Sequence, residues 1–186
     1  MSLHHSQAAP PPQCLQQAVT LIMLKLPFLL FAVATAAAVP AAAPAAVIGD
    51  DARACLTGKP SVLVRVSGFK KAGGKVKIGV YPASRYLQKK GTISKETVAV
   101  RSTAAMDVCL AVPASGRYAV AVYHDANGNG DKDANDGAGY SNNPRLSLTN
   151  LKPAFGRTAV TVNGAPRRVP VVLQYRRGLS VGPVNG

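Results

Sequence analysis

Acidic residues, histidines and cysteines are all scarce in this sequence. Its 186 residues include 8 Asp+Glu against 22 Lys+Arg, with 3 His and 3 Cys. Beyond the first 46 residues there remain one histidine, His124, and two cysteines. Zinc centres and nucleophile–base–acid sites need several such residues together, so the composition argues against an enzyme. We interpret the lone His124 as a packing or hydrogen-bonding residue and not as a catalytic base.

No apolar run reaches the roughly 20 residues that a membrane-spanning helix needs. The nearest candidate, LPFLLFAVATAAAV, follows Lys25, contains Pro27 and stops at Pro40. A basic start, a short apolar stretch and a small-residue exit form the layout of a secretory signal. We therefore expect a periplasmic or secreted protein, with residues 1–46 as disordered leader plus signal peptide and a mature start near 37–47. An uncleaved membrane anchor and a cytoplasmic protein are the alternatives.

Export also bears on the cysteines. Cys14 would leave with the leader, so Cys55 and Cys109 would remain as a pair. Disulfides persist in oxidising compartments, and small exported domains often depend on them. We predict a Cys55–Cys109 disulfide, with two unrelated buried thiols as the alternative.

Aromatic residues make up 5% of the chain and are not interleaved with basic residues as a base-stacking platform would require. From Val47 onward the chain holds 21 basic residues, since Lys25 is the only one of the 22 that precedes it, and 8 acidic ones, for a net charge of +13. Such a charge favours an anionic polymer or an envelope surface as partner, without specific recognition of nucleic acid. A merely solvated basic surface is the simpler interpretation.

Short runs rich in Val, Tyr and Thr, bounded by Gly, Pro, Asn or Ser, predict strands and turns. In GKVKIGVYP, for example, lysines alternate with Val76, Ile78 and Val80. The predicted strands are 61–69, 74–82, 97–102, 106–112, 117–124, 157–162 and 169–175. With no convincing amphipathic helix, this pattern favours an all-β fold: an antiparallel β-sandwich of about seven strands, immunoglobulin-like in character.

The same pattern divides the chain. Residues 61–176 form the predicted sandwich, after an N-terminal linker at 47–60 that carries Cys55 and before a flexible tail at 177–186. The run RYAVAVYHD is apolar on both sides, which predicts a central strand buried on both faces. It leads directly into the most acidic part of the chain.

Four of the eight acids lie within HDANGNGDKDANDG, which begins at His124. Numbered from Asp125, oxygen-bearing side chains occupy positions 1, 3, 5, 9 and 12, and position 6 is glycine. This is the ligand spacing of a twelve-residue calcium loop, in which position 7 offers its backbone carbonyl. The predicted metal ligands are Asp125, Asn127, Asn129, Asp131, Asp133 and Asp136.

A plain turn is the alternative for this loop, because Asn-Gly and Asp-Gly pairs are common in hairpins. A turn alone, however, does not explain why carboxylates that repel each other gather in a basic protein. Position 12 is Asp136 and not the longer Glu, and two ligands are neutral Asn. We therefore expect a weak site, with a dissociation constant of roughly 10⁻⁴–10⁻³ M.

Three stretches resemble a bacterial family of exported proteins classed as a domain of unknown function: YAVAVYHDANGNGDKD, GAGYSNNP and LKPAFGRTAVTV. The resemblance covers roughly residues 61–175 and implies a prealbumin-like or immunoglobulin-like sandwich without an established activity. Ala138 and Tyr140 depart from the family pattern, as does the shortened insert between its motifs. Of the predicted ligands, Asp125, Asn127, Asn129 and Asp133 match the family motif. The other matching residues are His124, Gly128, Gly130, Gly137, Gly139, Ser141, Asn142 and Asn143. Asn142 and Asn143 could supply further oxygens to the loop or could cap a turn.

Three functions remain in competition. The first is an exported non-enzymatic β-sandwich whose acidic loop binds calcium. The second is a basic surface protein that binds polyanions. The third is a hydrolase similar to the transthyretin-like kind, suggested by YRRGLS at 175–180; it is the weakest because the histidine-bearing motifs of that family are absent.

Overall fold

The computed structural model describes residues 46–184. The predicted signal peptide lies outside these residues. The strands are β1 (Val47–Ile48), β2 (Ser61–Ser67), β3 (Lys75–Pro82), β4 (Ser94–Ala99), β5 (Met106–Ala111), β6 (Gly116–Asp125), β7 (Gly137–Tyr140), β8 (Ala159–Val162), β9 (Pro166–Val172), β10 (Gln174–Arg177) and β11 (Ser180–Pro183). Two short helices, α1 (Ala52–Leu56) and α2 (Phe155–Thr158), and a 3₁₀ turn at Ala83–Arg85 complete the set. Within the described part of the chain, no helix is long and apolar enough to cross a membrane.

The strands form two sheets. The smaller sheet has the order β1-β5-β2-β9, and the larger has the order β11-β10-β7-β6-β3-β4, with β8 also paired to β6. Neighbours in the larger sheet are antiparallel, whereas β1 pairs with β5 and β2 pairs with β9 in parallel. The predicted all-β sandwich is confirmed, and the structure adds short strands and these two parallel pairs.

The core lies between the sheets because each strand turns its alternate apolar residues inward. On β2 these are Val62, Val64 and Val66, and on β3 they include Ile78 and Val80, all of them buried. Residues from β5, β6, β8 and β9 complete the same apolar cluster. The alternation read from the sequence therefore places the core correctly.

Three predicted strands differ most from the observed ones. The strand predicted at 157–162 begins at Ala159, because Phe155–Thr158 form α2. The strand predicted at 97–102 ends at Ala99, because the N–H of Val100 donates to Gly74 and its carbonyl accepts from Gly73, which anchors Val100 to the β2–β3 turn. The strand predicted at 169–175 is two strands: β9 belongs to the small sheet and β10 to the large one, with Leu173 between them. The inward period of two is unbroken across Leu173, so the sequence pattern shows one strand.

The ends of the domain differ from the predicted linker and tail. Residues 47–60 contain β1, which pairs with β5, and α1, which is joined to β5 by the Cys55–Cys109 disulfide. Residues 180–183 form β11 and pair with β10. Both segments are too short for a periodic pattern, so the sequence gives no signal for them.

The predicted Cys55–Cys109 disulfide is confirmed. It joins residues separated by 54 positions, with Cα atoms 6.1 Å apart, and Cys109 is fully buried. In the chain-entropy account a bridge closing such a loop adds about 4 kcal/mol to the free energy of unfolding. The bridge therefore fixes α1 and the start of the domain to the small sheet.

Candidate functional site

The acidic loop is the connection of a hairpin between the two inner strands β6 and β7. His124 pairs with Gly137, so residues 125–136 project from the end of that hairpin. The first loop residue, Asp125, is 1% exposed. Its Oδ1 accepts the N–H of Gly128 at 2.8 Å and its Oδ2 that of Gly130 at 3.0 Å. Both glycines have positive φ, 77° and 88°, a backbone conformation that other residues adopt at a cost.

Asp136 closes the other end of the loop. Its Oδ1 accepts the N–H of Ala126 at 3.0 Å, and its Oδ2 accepts the N–H of Asp133 at 2.9 Å and the hydroxyl of Tyr123. Partial burial acts to raise the pKa of Asp136, but the hydrogen bonds from Tyr123, Asp133 and Ala126 outweigh it, so its pKa is lowered. Burial and the bond to Asp136 raise the pKa of Tyr123, which keeps that hydroxyl protonated as a donor.

Three of the predicted ligands meet at the carboxylate of Asp133. Its Oδ2 accepts the side-chain amide of Asn127 at 2.7 Å and that of Asn129 at 3.4 Å. The amide oxygens of these asparagines accept the N–H groups of Asn129 and Asp131 in turn. Positions 3, 5 and 9 of the loop therefore converge on one point.

The remaining predicted ligands do not join this cluster. Asp125 and Asp136 face backbone N–H groups, and the side chain of Asp131 is exposed while its carbonyl accepts the Tyr123 hydroxyl at 2.7 Å. Among residues 46–184 the structure shows no group of three or more His, Cys, Asp or Glu side chains that could hold a metal ion. The carboxylates can lie close together because backbone and asparagine N–H groups donate hydrogen bonds to them. Lys77, 3.9 Å from Asp125, adds a positive charge.

His124 lies beneath the loop with no exposed surface. Its Nε2 is 3.1 Å from the carbonyl of Gly73, so this nitrogen carries the proton, and its Nδ1 accepts the Tyr175 hydroxyl at 2.7 Å. Tyr175 also accepts the N–H of Lys70 at 3.2 Å. Both ring nitrogens are used within the core, in line with a structural role for this histidine.

The Ser-Asn-Asn run lies at the opposite end of β7 from the loop. Asn142 donates to the carbonyl of Ala159 at 3.0 Å. Asn143 accepts the N–H of Val172 at 2.7 Å and donates to Pro170 at 3.2 Å. These amides attach the turn after β7 to β8 and β9, so they serve strand connections and do not approach the acidic loop.

A groove of about 810 Å³ adjoins the loop on the outer face of the large sheet. Its floor contains the small residues Gly79, Ala121 and Ala138, which lie on three neighbouring strands. Tyrosines from the sheet, leucines from residues 146–151 and the 132–136 part of the loop form its walls. This groove is not among the features predicted from the sequence. Small residues at the outward positions of central strands could have indicated it, because they leave space for a bound molecule.

Charge is distributed unequally over the described residues. Six acids are used in internal hydrogen bonds or ion pairs: Asp51, Glu96, Asp107, Asp125, Asp133 and Asp136. Between side chains of residues 46–184 there are two ion pairs, Arg65–Asp107 and Lys77–Asp125. The excess of basic residues is therefore concentrated on the surface.

The acidic loop lies within the region that matches a known family. Residues 64–170, more than half of the chain, match the family described as "Uncharacterized protein conserved in bacteria (DUF2141)". The chain belongs to this family. The match extends from β2 into β9 and includes the acidic loop and most of the residues that line the groove. No curated protein and no solved structure matches the sequence.

The lowered pKa of Asp136 predicts a specific acid sensitivity. Its folded pKa lies below the ordinary value of 3.8, so its contribution to stability is complete above about pH 4 and is lost as the pH falls through the folded pKa. Tyr123→Phe removes one hydrogen-bond donor, so we expect it to lower stability at pH 7 and to flatten the loss between pH 5 and pH 2, by about one order of magnitude or less in the unfolding constant.

Urea unfolding at a series of pH values measures both effects. Tyr81→Phe is the matched control, since Tyr81 lies on the same outer face but makes no hydrogen bond to a carboxylate. An acid profile of Tyr123→Phe identical to that of the parent would contradict the assignment.

Proposed function

We propose that this member of the family is an exported domain that acts by binding and not by catalysis, and that its acidic loop is a weak calcium site. The convergence of Asn127, Asn129 and Asp133 is the observation that carries the proposal. Different features of the protein support export, the absence of catalysis and calcium binding.

The Cys55–Cys109 disulfide supports export, because such bonds persist in the periplasm and outside the cell but not in a reducing cytoplasm. Living cells can be treated with a permeant alkylating agent before lysis, and the cysteine peptides then reduced, labelled again and identified by mass. We expect Cys55 and Cys109 to carry only the second label. First-label modification of both would place the protein in the cytoplasm.

The surroundings of His124 support a non-catalytic protein. It is the one histidine among residues 46–184, it is fully buried, and its two nitrogens are occupied by Tyr175 and Gly73. A general base must reach the proton that it abstracts, which this imidazole does not. The transthyretin-like hydrolase therefore has no support from this residue.

Calcium requires six to eight oxygen ligands, and a carboxylate that accepts one or two hydrogen bonds keeps further lone pairs. Among the described residues, Asp133 Oδ1 accepts one hydrogen bond, from the N–H of Asn135 at 2.7 Å, and the amide oxygens of Asn127 and Asn129 accept one each. A cation placed among these side chains would replace the two asparagine N–H groups that now point to Asp133. One carboxylate with two amides is a low negative charge for calcium, in keeping with weak affinity.

Calcium binding to the folded state should raise the free energy of unfolding. At 10 mM calcium, a dissociation constant of roughly 10⁻⁴–10⁻³ M corresponds to about 1–3 kcal/mol. Thermal unfolding at matched ionic strength, with 10 mM calcium against 10 mM magnesium, should show a rise of several degrees for calcium alone.

Asp133→Asn and Asp131→Asn form a matched pair for this experiment. Each removes one charge from the same loop, but the Asp131 side chain is exposed and stands outside the cluster. Asp133→Asn should abolish the calcium shift and Asp131→Asn should keep it. No shift in the parent protein, or equal loss in both variants, rejects the site.

A second candidate, binding to polyanions, is favoured by the placement of charge. Of 21 basic residues from Val47 onward, two form ion pairs with side chains of the described part, while acids are largely used internally. Counterion release makes such binding strongly dependent on salt. We expect the protein to bind dextran sulfate in about 50 mM salt and to lose at least about tenfold in affinity by about 200 mM. Affinity measured by fluorescence anisotropy that stays constant over this range excludes polyanion binding.

A further inference from the structure

The groove on the outer face of the large sheet offers an apolar interior. Tyr123 and Tyr140 rise from β6 and β7 beside the small floor residues, and Leu146, Leu148 and Leu151 face them from the segment after β7. Leu148 and Leu151 are 40% and 48% exposed. Exposed leucines grouped along a concave surface are typical of a ligand site, because a bound molecule would remove them from water.

Several polar groups of the walls are already hydrogen-bonded within the protein. The Tyr140 hydroxyl donates to the carbonyl of Leu151 at 2.8 Å, and that of Tyr123 is held by the acidic loop. Gln174 accepts the N–H of Leu146 at 3.0 Å and donates to Pro144 at 2.9 Å. These groups hold the 144–152 segment over the sheet, and they present rings and hydrocarbon to the groove. A ligand rich in hydroxyl groups would therefore find few partners here.

The rim of the groove is positively charged, because it carries more lysine side chains than carboxylates that are free to pair with them. Lys77 and Lys132 lie with their Nζ atoms 5.8 and 5.6 Å from the centre of the Tyr123 ring. Lys95 and Lys152 line the same groove and form no ion pair within the described residues. The acids that line the groove are Glu96, Asp133 and Asp136. Glu96 accepts the N–H of Asp50 at 3.4 Å, and the two aspartates accept N–H groups of the loop.

We propose that this groove binds a small amphipathic anion, a molecule with an apolar body and one carboxylate, sulfonate or phosphate group. The volume of about 810 Å³ lies within the range of roughly 300–1,000 Å³ found for small-molecule sites. The apolar body would cover the floor and the leucines, and the anionic group would contact Lys95 or Lys152 at the rim. Asp133 of the proposed calcium cluster lies in the wall of this groove, but the anionic group would contact the lysines and does not require calcium.

The sequence contains no tryptophan, so a single introduced indole can report binding. Thr97→Trp places it on an exposed groove-lining position of β4, and Thr161→Trp places it on an exposed position of β8 that does not line the groove. The probes are dodecanoate, 2-naphthoate, acetate and dodecyltrimethylammonium, each below its micelle concentration and at constant ionic strength. Dodecanoate and 2-naphthoate distinguish a chain-shaped body from a ring-shaped one.

We expect saturable emission changes for Thr97→Trp with dodecanoate, 2-naphthoate or both, and none with acetate. The cationic amphiphile should bind at least tenfold more weakly than dodecanoate. The indole of Thr161→Trp should not respond, and titration calorimetry of the parent should give one ligand per chain.

Charge reversal at the rim tests the cations. Lys95→Glu/Lys152→Glu should weaken binding of the anionic probe at least tenfold. Lys71→Glu/Arg168→Glu changes the net charge equally at exposed positions outside the groove and should leave affinity within about twofold. Cooperative unfolding of each variant establishes that it is folded.

Three results overturn the proposal: equal binding of the cationic amphiphile, equal weakening by the two double variants, or no saturable binding of either anionic probe to the parent. Because all measurements are made without calcium, a failed calcium site leaves the interpretation of this experiment unchanged.

Discussion

The conformation of the acidic loop depends on the hydrogen bonds that the buried carboxylate of Asp125 accepts. A charge that is 1% exposed is stable only if hydrogen-bond donors surround it, and here Gly128 and Gly130 fold back to supply them. That requirement sets the path of the loop as it leaves β6. The same path brings residues 132–136 to the wall of the groove. The loop conformation and the outer surface of the sheet thus share one electrostatic cause.

Most of the few acidic residues make contacts within the domain. Asp125, Asp133 and Asp136 organise a loop, Asp107 neutralises Arg65, and Asp51 accepts the N–H of Ala111 at 2.8 Å. Acidic side chains that are held by internal hydrogen bonds do not pair with the basic residues on the surface. A strongly basic surface is consequently a product of how the fold is stabilised, as well as a possible means of attracting anionic partners.

The fold and the site differ in how far the sequence predicts them. The alternation of Val62, Val64 and Val66 identifies a strand because a period of two is a local property. The disulfide followed from a count of two cysteines. The hydrogen bonds of Asp125 and the contact of Asn143 with β9 depend on positions that are distant in sequence or on turn geometry, which a pattern does not encode. The groove forms where three strands meet, with Gly79 beside Ala121. Its small residues can be read from the sequence, but their adjacency cannot.

The passage of the chain from β9 to β10 has a further consequence. The polypeptide leaves one layer and enters the other at Leu173, directly against β7. There Gly137 and Gly139 leave no room for a methyl group, since an added Cβ would lie 2.5 Å from the ring of Tyr175 and 2.7 Å from Val171. The chain therefore crosses between the sheets at a place where Gly137 and Gly139 allow close packing. This connection opposes sliding of one sheet over the other. Because both sheets also contribute to one apolar core, we expect them to unfold as one cooperative unit.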